Sequence, residues 1–447
     1  MSSQITILEV SGLRPDTLKD IDEKARKSDK TTQANDRSST FVDNMKLPVH
    51  RWFRYSAGFS AEWVKEVIAD VKATEPVILF DPFAGSGTTL LAGQACGVPS
   101  YGVEAHPFVA RVAKTKLLWR EDDVKAFSRL AEVVLRSAQS DGGSIEGYPD
   151  LIEKCFPVST LCELDALKRA WMAVNDGNAA AELCWLALTS ILRNCSPVGT
   201  SQMELIQPRK RKQKVRRPFE AFQAQVGIML DDMRFFHREI EGATAFIFNE
   251  DARICEAIED HSINLVITSP PYVNNFDYAD ATRLEMTFWG EVRGWGDLQG
   301  KVRRHLVRSC SQHMSPQREN FEQLLSESPE LPIISELTGV CERLDQERLH
   351  HGGKKNYHLM VAAYFSDMAQ VWKALRRVCA PGGRVCFVIG DSAPYGIYVP
   401  VHQWLGKIAM AAGFRQFRFE KTRDRNIKWK NRKHRIPLCE GRLWVEG

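Results

Sequence analysis

Thr268-Ser269-Pro270-Pro271-Tyr272 is the stretch of this chain whose residue types can do chemistry. Ser269 carries a hydroxyl that can accept a hydrogen bond, the Ser269 and Pro270 carbonyls cannot join a helix, and Tyr272 offers a flat aromatic face. Acceptors beside an aromatic platform suit a planar heterocycle with an exocyclic amine, which has N–H groups to donate and a ring to stack. The two prolines make the stretch stiff, because neither can donate a ladder hydrogen bond and a residue before proline avoids the α region. The apolar run before them, Asn264-Leu265-Val266-Ile267, reads as a buried strand of a parallel sheet. Ser269, Pro270, Pro271 and Tyr272 then form a rigid spur at the C-terminal end of that strand, where open α/β sheets keep their ligands. A strand that uses prolines only to stop would look the same, so the rest of the chain has to discriminate.

A second constellation lies upstream. Val77-Ile78-Leu79-Phe80-Asp81 reads as another buried strand and runs into Pro82-Phe83-Ala84-Gly85-Ser86-Gly87-Thr88-Thr89, then into a helix through Leu90, Leu91 and Ala95. Strand, glycine turn and helix in that order make a cofactor cradle: Gly85 and Gly87 let backbone N–H groups approach a ligand, and the helix N-terminus favours an anionic group. Ser100-Tyr101-Gly102-Val103-Glu104 is the next strand. It ends in an acid about twenty positions past the turn, where nucleoside-cofactor folds hold a ribose diol.

The elements that must position these residues can be read in order. Residues 1–45 begin with an expected short strand, Ile5 to Val10, and become a polar arm. His50-Arg51-Trp52-Phe53-Arg54-Tyr55 is aromatic and basic, and Ser60 is the expected N-cap of a helix in which Val64, Val67, Ile68 and Val71 share a buried face. Residues 121–242 read as a largely helical insertion that contains the basic block Arg209 to Arg217 with Arg211 and Lys212. A third strand, Ala245 to Asn249, leads to Asp251, and the proline spur follows on the fourth. Residues 291–356 are polar and interrupted, a second insertion. A helix from Tyr357 ends at the turn signal Ala380-Pro381-Gly382-Gly383, and Arg384 to Asp391 is the fifth strand. A helix over residues 400–412 precedes two closing strands, 415–420 and 442–446. Between them lies a basic loop, Lys421 to Arg435, holding Lys428, Trp429 and Lys430.

The totals exclude several classes. At 447 residues the chain is long for one domain, and its 44% hydrophobic and 26% charged content is ordinary for a soluble globular protein. No apolar run reaches transmembrane length, and the N-terminus opens without a basic-then-apolar signal peptide. Eleven cysteines are scattered without Cys-x-x-Cys pairs or zinc spacing, as expected of free thiols in a reducing cytoplasm, and no metal is expected. The net charge of +4 says little by itself. The two basic blocks, with Trp429 inside the second, point to contact with a nucleic acid.

Taken together, these pieces resemble the amino-methyltransferases of the DNA N4-cytosine/N6-adenine family. The turn stands here as Asp-Pro-Phe-Ala-Gly-Ser-Gly-Thr-Thr (81–89) and the spur as Thr-Ser-Pro-Pro-Tyr (268–272), the form associated with N4-cytosine enzymes. The resemblance covers roughly residues 46–120, 243–290 and 357–447. It implies a Rossmann-like α/β class I S-adenosylmethionine-dependent methyltransferase sheet, made by those three stretches and interrupted by two mainly helical insertions. It further implies that Asp81, Phe83, Gly85, Gly87, Thr88 and Thr89 cradle S-adenosylmethionine, that Glu104 binds its ribose, that Asp251 accepts from its adenine amine, and that the segment from Leu47 to Ser60 closes over its methionine end. Ser269 to Tyr272 would act on a flipped base. Double-stranded DNA is the implied substrate, with contacts expected from Arg211, Lys212, Lys428, Trp429 and Lys430, and a cognate restriction endonuclease is a further implied partner. The cofactor motif precedes the catalytic one here, the reverse of many bacterial N4-cytosine enzymes. An N6-adenine enzyme, an RNA or protein amino-methyltransferase and a non-catalytic DNA-binding relative stay open. A cytosine C5 enzyme would need a nucleophilic cysteine on a Pro-Cys turn, and the chain has no Pro-Cys dipeptide.

Overall fold

The computed structural model describes residues 41–55, 58–120, 124–200, 206–212, 214–240, 242–274, 277–314, 321–326, 331–352, 355–425 and 436–447. The strand expected over Ile5 to Val10 lies outside the described residues, as do Lys428, Trp429 and Lys430. The strands are β1 (Leu79–Asp81), β2 (Ser100–Val103), β3 (Val198–Thr200), β4 (Ile206–Arg211), β5 (Ala245–Phe248), β6 (Ile263–Thr268), β7 (Cys379–Gly390), β8 (Gln416–Arg425) and β9 (Leu438–Glu446). Seven of them make one sheet in the order β5-β2-β1-β6-β7-β9-β8. Its first five strands are parallel, and β9 runs antiparallel to both neighbours. The expected Rossmann-like sheet is therefore present. From β1 the chain crosses to β2 on one side and later returns to β6 on the other, so the β1/β6 crevice is the topological switch point where such sheets take ligands.

Helices of eight or more residues are numbered α1 (Ala61–Lys72), α2 (Thr88–Ala95), α3 (Pro107–Leu117), α4 (Val124–Asp141), α5 (Val158–Val174), α6 (Ala179–Cys195), α7 (Pro218–Glu239), α8 (Ile334–His350), α9 (Tyr357–Val378) and α10 (Val401–Ala411). Alternation along the strands divides the core in two. Leu79, Leu265, Ile267, Cys386 and Val388 pack with Val64, Ile68 and Val71 of α1. Phe80, Val266, Val385 and Phe387 pack with Met360, Tyr364, Met368, Val371 and Leu375 of α9. Both helices thus bury the faces their spacing predicts. Ser60 caps α1 as expected, its hydroxyl accepting from the Trp63 N–H at 3.4 Å.

Three local readings are corrected. The region between α3 and β5 holds helices α4 to α7 but also the two-stranded β3–β4 sheet, so Arg209 to Arg211 lie on a strand. The Pro-Gly-Gly signal after α9 does not end the pairing. Cys379 stays opposite Ile263 and Arg384 opposite Leu265, and the residues between them bulge out with Gly382 in the left-handed region at φ 78°. β8 is longer than expected, because its antiparallel pairing with β9 carries Lys421, Arg423 and Arg425 into the sheet rather than a loop.

The helical insertion is bolted to the segment before α1. Asp232 of α7 is 2% exposed. Its Oδ2 accepts from the Val49 N–H at 2.9 Å, Arg51 Nε at 3.1 Å and Trp52 Nε1 at 2.9 Å. Val49 is held at φ 63°, a strained position for a β-branched residue that this anchoring must over-determine. Lys116 of α3 adds hydrogen bonds to the His50 and Phe53 carbonyls. Burial pushes its ammonium down to about 7. Replacing Asp232 with Ala leaves two buried donors and the Arg51 guanidinium without their acceptor. Denaturant unfolding of Asp232→Ala should show a loss of about 3–5 kcal/mol with an unchanged slope. A loss under about 1 kcal/mol would refute this role.

Candidate active site

Asp81 closes β1 and is buried. Its Oδ2 accepts from Thr89 Oγ1 at 2.7 Å, at the start of α2, and its Oδ1 accepts from Thr268 Oγ1 at 2.5 Å, at the end of β6. The Phe83 N–H also donates to Oδ1, at 3.0 Å. One carboxylate therefore joins the glycine turn to the residue that opens the proline spur. Burial pushes it up to about 6, against the pull of these three hydrogen bonds.

The turn itself has the conformation its glycines predict. Gly85 and Gly87 sit at φ 52° and 88°, and Gly87 is the N-cap of α2. Thr88 opens that helix and Thr89 is buried against β1. Glu104 stands just past β2 and accepts from the Gly85 N–H at 2.9 Å and the His106 N–H at 2.8 Å. Its carboxyl is pushed up to about 7, chiefly by burial. Gly102, beneath the turn, has no room for a side chain: a Cβ there would come within 2.8 Å of Leu90. Asp251, past β5, is engaged by its own neighbour, since Arg253 Nε lies 2.9 Å and 3.0 Å from its two oxygens. Arg253 also pairs with Asp367 of α9 at 3.2 Å, and Asp367 holds Arg308 at 2.7 Å. A nucleoside ligand would have to share Glu104 with the Gly85 and His106 N–H groups and the Asp251 carboxylate with Arg253.

On the spur, Ser269 Oγ donates to the Val388 carbonyl of β7 at 3.1 Å, which leaves its lone pairs for a second partner. The Tyr272 hydroxyl is hydrogen-bonded to Ser269, and burial raises its phenol well above the ordinary range. The Arg425 guanidinium lies 5.0 Å from the centroid of the Tyr272 ring. Tyr364 is buried and Tyr55 partly buried nearby, Tyr55 within electrostatic reach of Glu104 and Tyr278, and Tyr364 of Tyr278 and Tyr272. The Tyr364 hydroxyl has no hydrogen-bond partner among the described residues. The sequence reading missed this ring of tyrosines: Tyr55 stood in an aromatic segment and Tyr364 on an apolar helix face, and neither context signals a site.

The basic residues separate into kinds. Arg211 is exposed, whereas Lys212 Nζ donates to the Arg193 carbonyl at 2.7 Å. Arg217 pairs with Glu163 at 3.0 Å, Lys421 with Asp424 at 2.6 Å and Arg423 with Glu440 at 2.7 Å. Among the described residues, two clusters bring Asp, His and Cys together: Asp277 with Cys310 and His313, and Asp391 with His402 and Cys439. Asp277 already holds a cation, Arg303, at 2.6 Å. Asp391 accepts from His402 at 3.0 Å, Cys439 at 3.1 Å and Tyr398 at 2.9 Å, and burial keeps the Cys439 thiol protonated with its value pushed up to about 12. Both clusters act as braces.

No protein-family model matches the chain. It is 24% identical over 441 residues to the type II methyltransferase M.BsoBI of Geobacillus stearothermophilus, an alignment covering 89% of this chain and 84% of that protein. It is 24% identical over 404 residues to the type II methyltransferase M.AvaI of Nostoc sp., covering 84% and 81%. The type II methyltransferase M.MvaI of Kocuria varians is 26% identical over 246 residues, 51% of this chain and 54% of its own.

Glu104 has a native value above that of the unfolded chain, so between about pH 4 and pH 7 the native state holds the extra proton. Its contribution is therefore full at low pH and is lost as pH rises through about 7. In the ligand-free protein, the stability of wild type relative to Glu104→Gln should fall by on the order of 2 kcal/mol from pH 5 to pH 8. Denaturant titrations at the two pH values measure it, and parallel behaviour of the two proteins would overturn the assignment.

Proposed function

The chain's homologues are type II DNA methyltransferases, and we propose that it transfers a methyl group from S-adenosylmethionine to the exocyclic N4 amine of a cytosine flipped out of duplex DNA. The observation that carries this reading is Asp81, which ties the glycine turn on β1 to the Thr-Ser-Pro-Pro-Tyr spur on β6 across the switch point. A methyl donor and an amine acceptor held on either side of one carboxylate would be positioned for transfer.

Gly85, Gly87, Thr88 and the N-terminus of α2 would hold the cofactor's polar chain, Glu104 its ribose and Asp251 its adenine, with Ser60 and the segment before it covering the methionine end. When bound, the cofactor supplies an electrophilic methyl group on a sulfonium. The chain's own residues orient the amine. Ser269 Oγ, whose proton is directed at the Val388 carbonyl, accepts one N–H of the amine, and the Pro270 carbonyl accepts the other. Two such bonds draw the nitrogen towards tetrahedral geometry and free its lone pair to take the methyl as its bond to sulfur breaks, the sulfonium leaving as a neutral thioether and the nitrogen's surplus proton passing to water. Pro271 keeps both acceptors rigid and Tyr272 stacks the base. Serine before the prolines favours cytosine: its side chain is shorter and neutral, so a smaller ring must approach closely. Arg211 and Lys212, with Lys428, Trp429 and Lys430, are proposed to contact the DNA, and residues 121–242 to contain the target-recognition region. Among the described residues no helix is long and apolar enough to cross a membrane. Action in the cytoplasm, beside a restriction endonuclease of matching specificity, completes the proposal.

Nucleosides from DNA methylated in a host without other methylases should contain N4-methylcytosine by mass spectrometry. N6-methyladenine as the sole product would overturn the cytosine assignment and leave amino methylation standing. Gly85→Val should abolish S-adenosylmethionine binding by calorimetry, because it forces a β-branched residue into the left-handed region and fills the turn. Ser269→Ala should bind the cofactor normally and lose turnover by about 100- to 1,000-fold, the effect of removing one positioned hydrogen-bonding group.

A further inference from the structure

We propose that Arg425 reads the pyrimidine edge of the target base, donating to its N3 and O2 while Ser269 and Pro270 accept from its amine. This deepens the cytosine reading above and rests on it. Arg425 is the last residue of β8 before the segment 426–435, and its guanidinium lies 5.0 Å from the Tyr272 ring centroid. The guanidinium carbon lies over the ring, and a pyrimidine stacked beside it on Tyr272 would present its edge to the cation.

The position is built. Nη1 donates to the Asp391 carbonyl at 2.8 Å, and Nε lies 4.0 Å from the Glu440 carboxylate. A Cβ on Gly390 would come within 2.6 Å of Nη1, so a glycine at the end of β7 opens the space the guanidinium fills. The Asp391 carboxylate is itself held by His402, Tyr398 and Cys439, which makes its carbonyl a fixed anchor. The neighbouring cations of β8 are already paired: Lys421 with Asp424, and Arg423 with Glu440 at 2.7 Å, the carboxylate that Arg425 reaches only at 4.0 Å.

The chemistry then selects the base. A guanidinium carries five N–H donors in a planar fork, and the Asp391 carbonyl takes one of them. Cytosine presents two adjacent acceptors, N3 and O2, beside its amine. Adenine flanks its amine with N1 on one side and N7 on the other and has no second acceptor adjacent to either, so a fork at this place satisfies cytosine twice and adenine once. Serine at 269 would set how closely the amine approaches, and Arg425 would set which ring may carry it.

The test is a double-mutant cycle between protein and DNA. The recognition site is first located by base-resolution sequencing of methylated plasmid. Duplexes are then made with cytosine or 3-deazacytosine, which lacks the N3 acceptor, at the target position. Arg425→Ala should bind S-adenosylmethionine within twofold of wild type and lose about 10- to 100-fold in kcat/KM on the cytosine duplex. Wild type should lose a comparable factor on 3-deazacytosine, and Arg425→Ala should lose little more. Factors that multiply independently would overturn the proposal. Arg425→Lys keeps the cation beside Tyr272 but not the fork, and it should remain sensitive to the analogue at reduced activity. If Arg425→Ala does not fold, wild-type-like activity of Arg425→Lys overturns the proposal. A wild-type enzyme that makes no N4-methylcytosine fails the cytosine reading and this inference together, whereas N4-methylcytosine with independent factors fails this inference alone.

Discussion

The site depends on a carboxylate that water does not reach. Asp81 would be costly to bury alone, and the cost shows in its elevated protonation range. Three donors compensate, and their origins matter more than their number: the turn after β1, the first turn of α2 and the end of β6. Because the donors come from separate segments, the interaction forms only when β1 and β6 are in register. The hydrogen bonds that stabilise the carboxylate therefore also set the separation between the two halves of the site, and catalysis by positioning is sensitive to errors of about an ångström.

The insertions support this arrangement rather than hanging from it. The chain leaving the spur enters Arg283–Trp289, a short helix that packs on the helical insertion. Arg193 of α6 pairs there with buried Glu285 at 2.5 Å, and Trp289 Nε1 donates to Thr189 at 2.9 Å. Asp232 fastens the segment before α1 to the same helices. Both flanks of the site are thus anchored to residues 124–239, so a movement of that region on binding DNA would be felt at the cradle and at the spur.

The second insertion is tied in by charge. Arg253 shares its guanidinium between Asp251 and Asp367, and Asp367 also accepts from the Arg308 N–H at 2.9 Å. The Asn274 N–H, just beyond the spur, donates to the Ser309 carbonyl at 2.9 Å. Residues 303–314 consequently reach Arg253, the partner of the acid past β5, and the exit of the spur. Buried charge pairs of this kind are costly to break one-sidedly, which favours a single arrangement of these segments.

What the sequence alone determined is local. The strand–turn–helix around Gly85 and Gly87, the Ser60 cap, the buried faces of α1 and α9 and the rigid spur follow from periodicity, from the backbone freedom of glycine and from its restriction at proline. These properties act over a few residues, so they can be read in order along the chain. What the tertiary structure decided joins residues far apart. Asp81 meets Thr268, Trp52 meets Asp232 and Tyr272 meets Arg425 only because of how the strands are ordered. The same holds for the basic runs: Arg423 and Arg425 look like part of a free cationic loop until β8 pairs with β9 and brings Glu440 alongside. Their charges are set by the sequence, but their partners are set by topology, because a hydrogen bond or an ion pair depends on distance in space and the sequence records distance only along the chain.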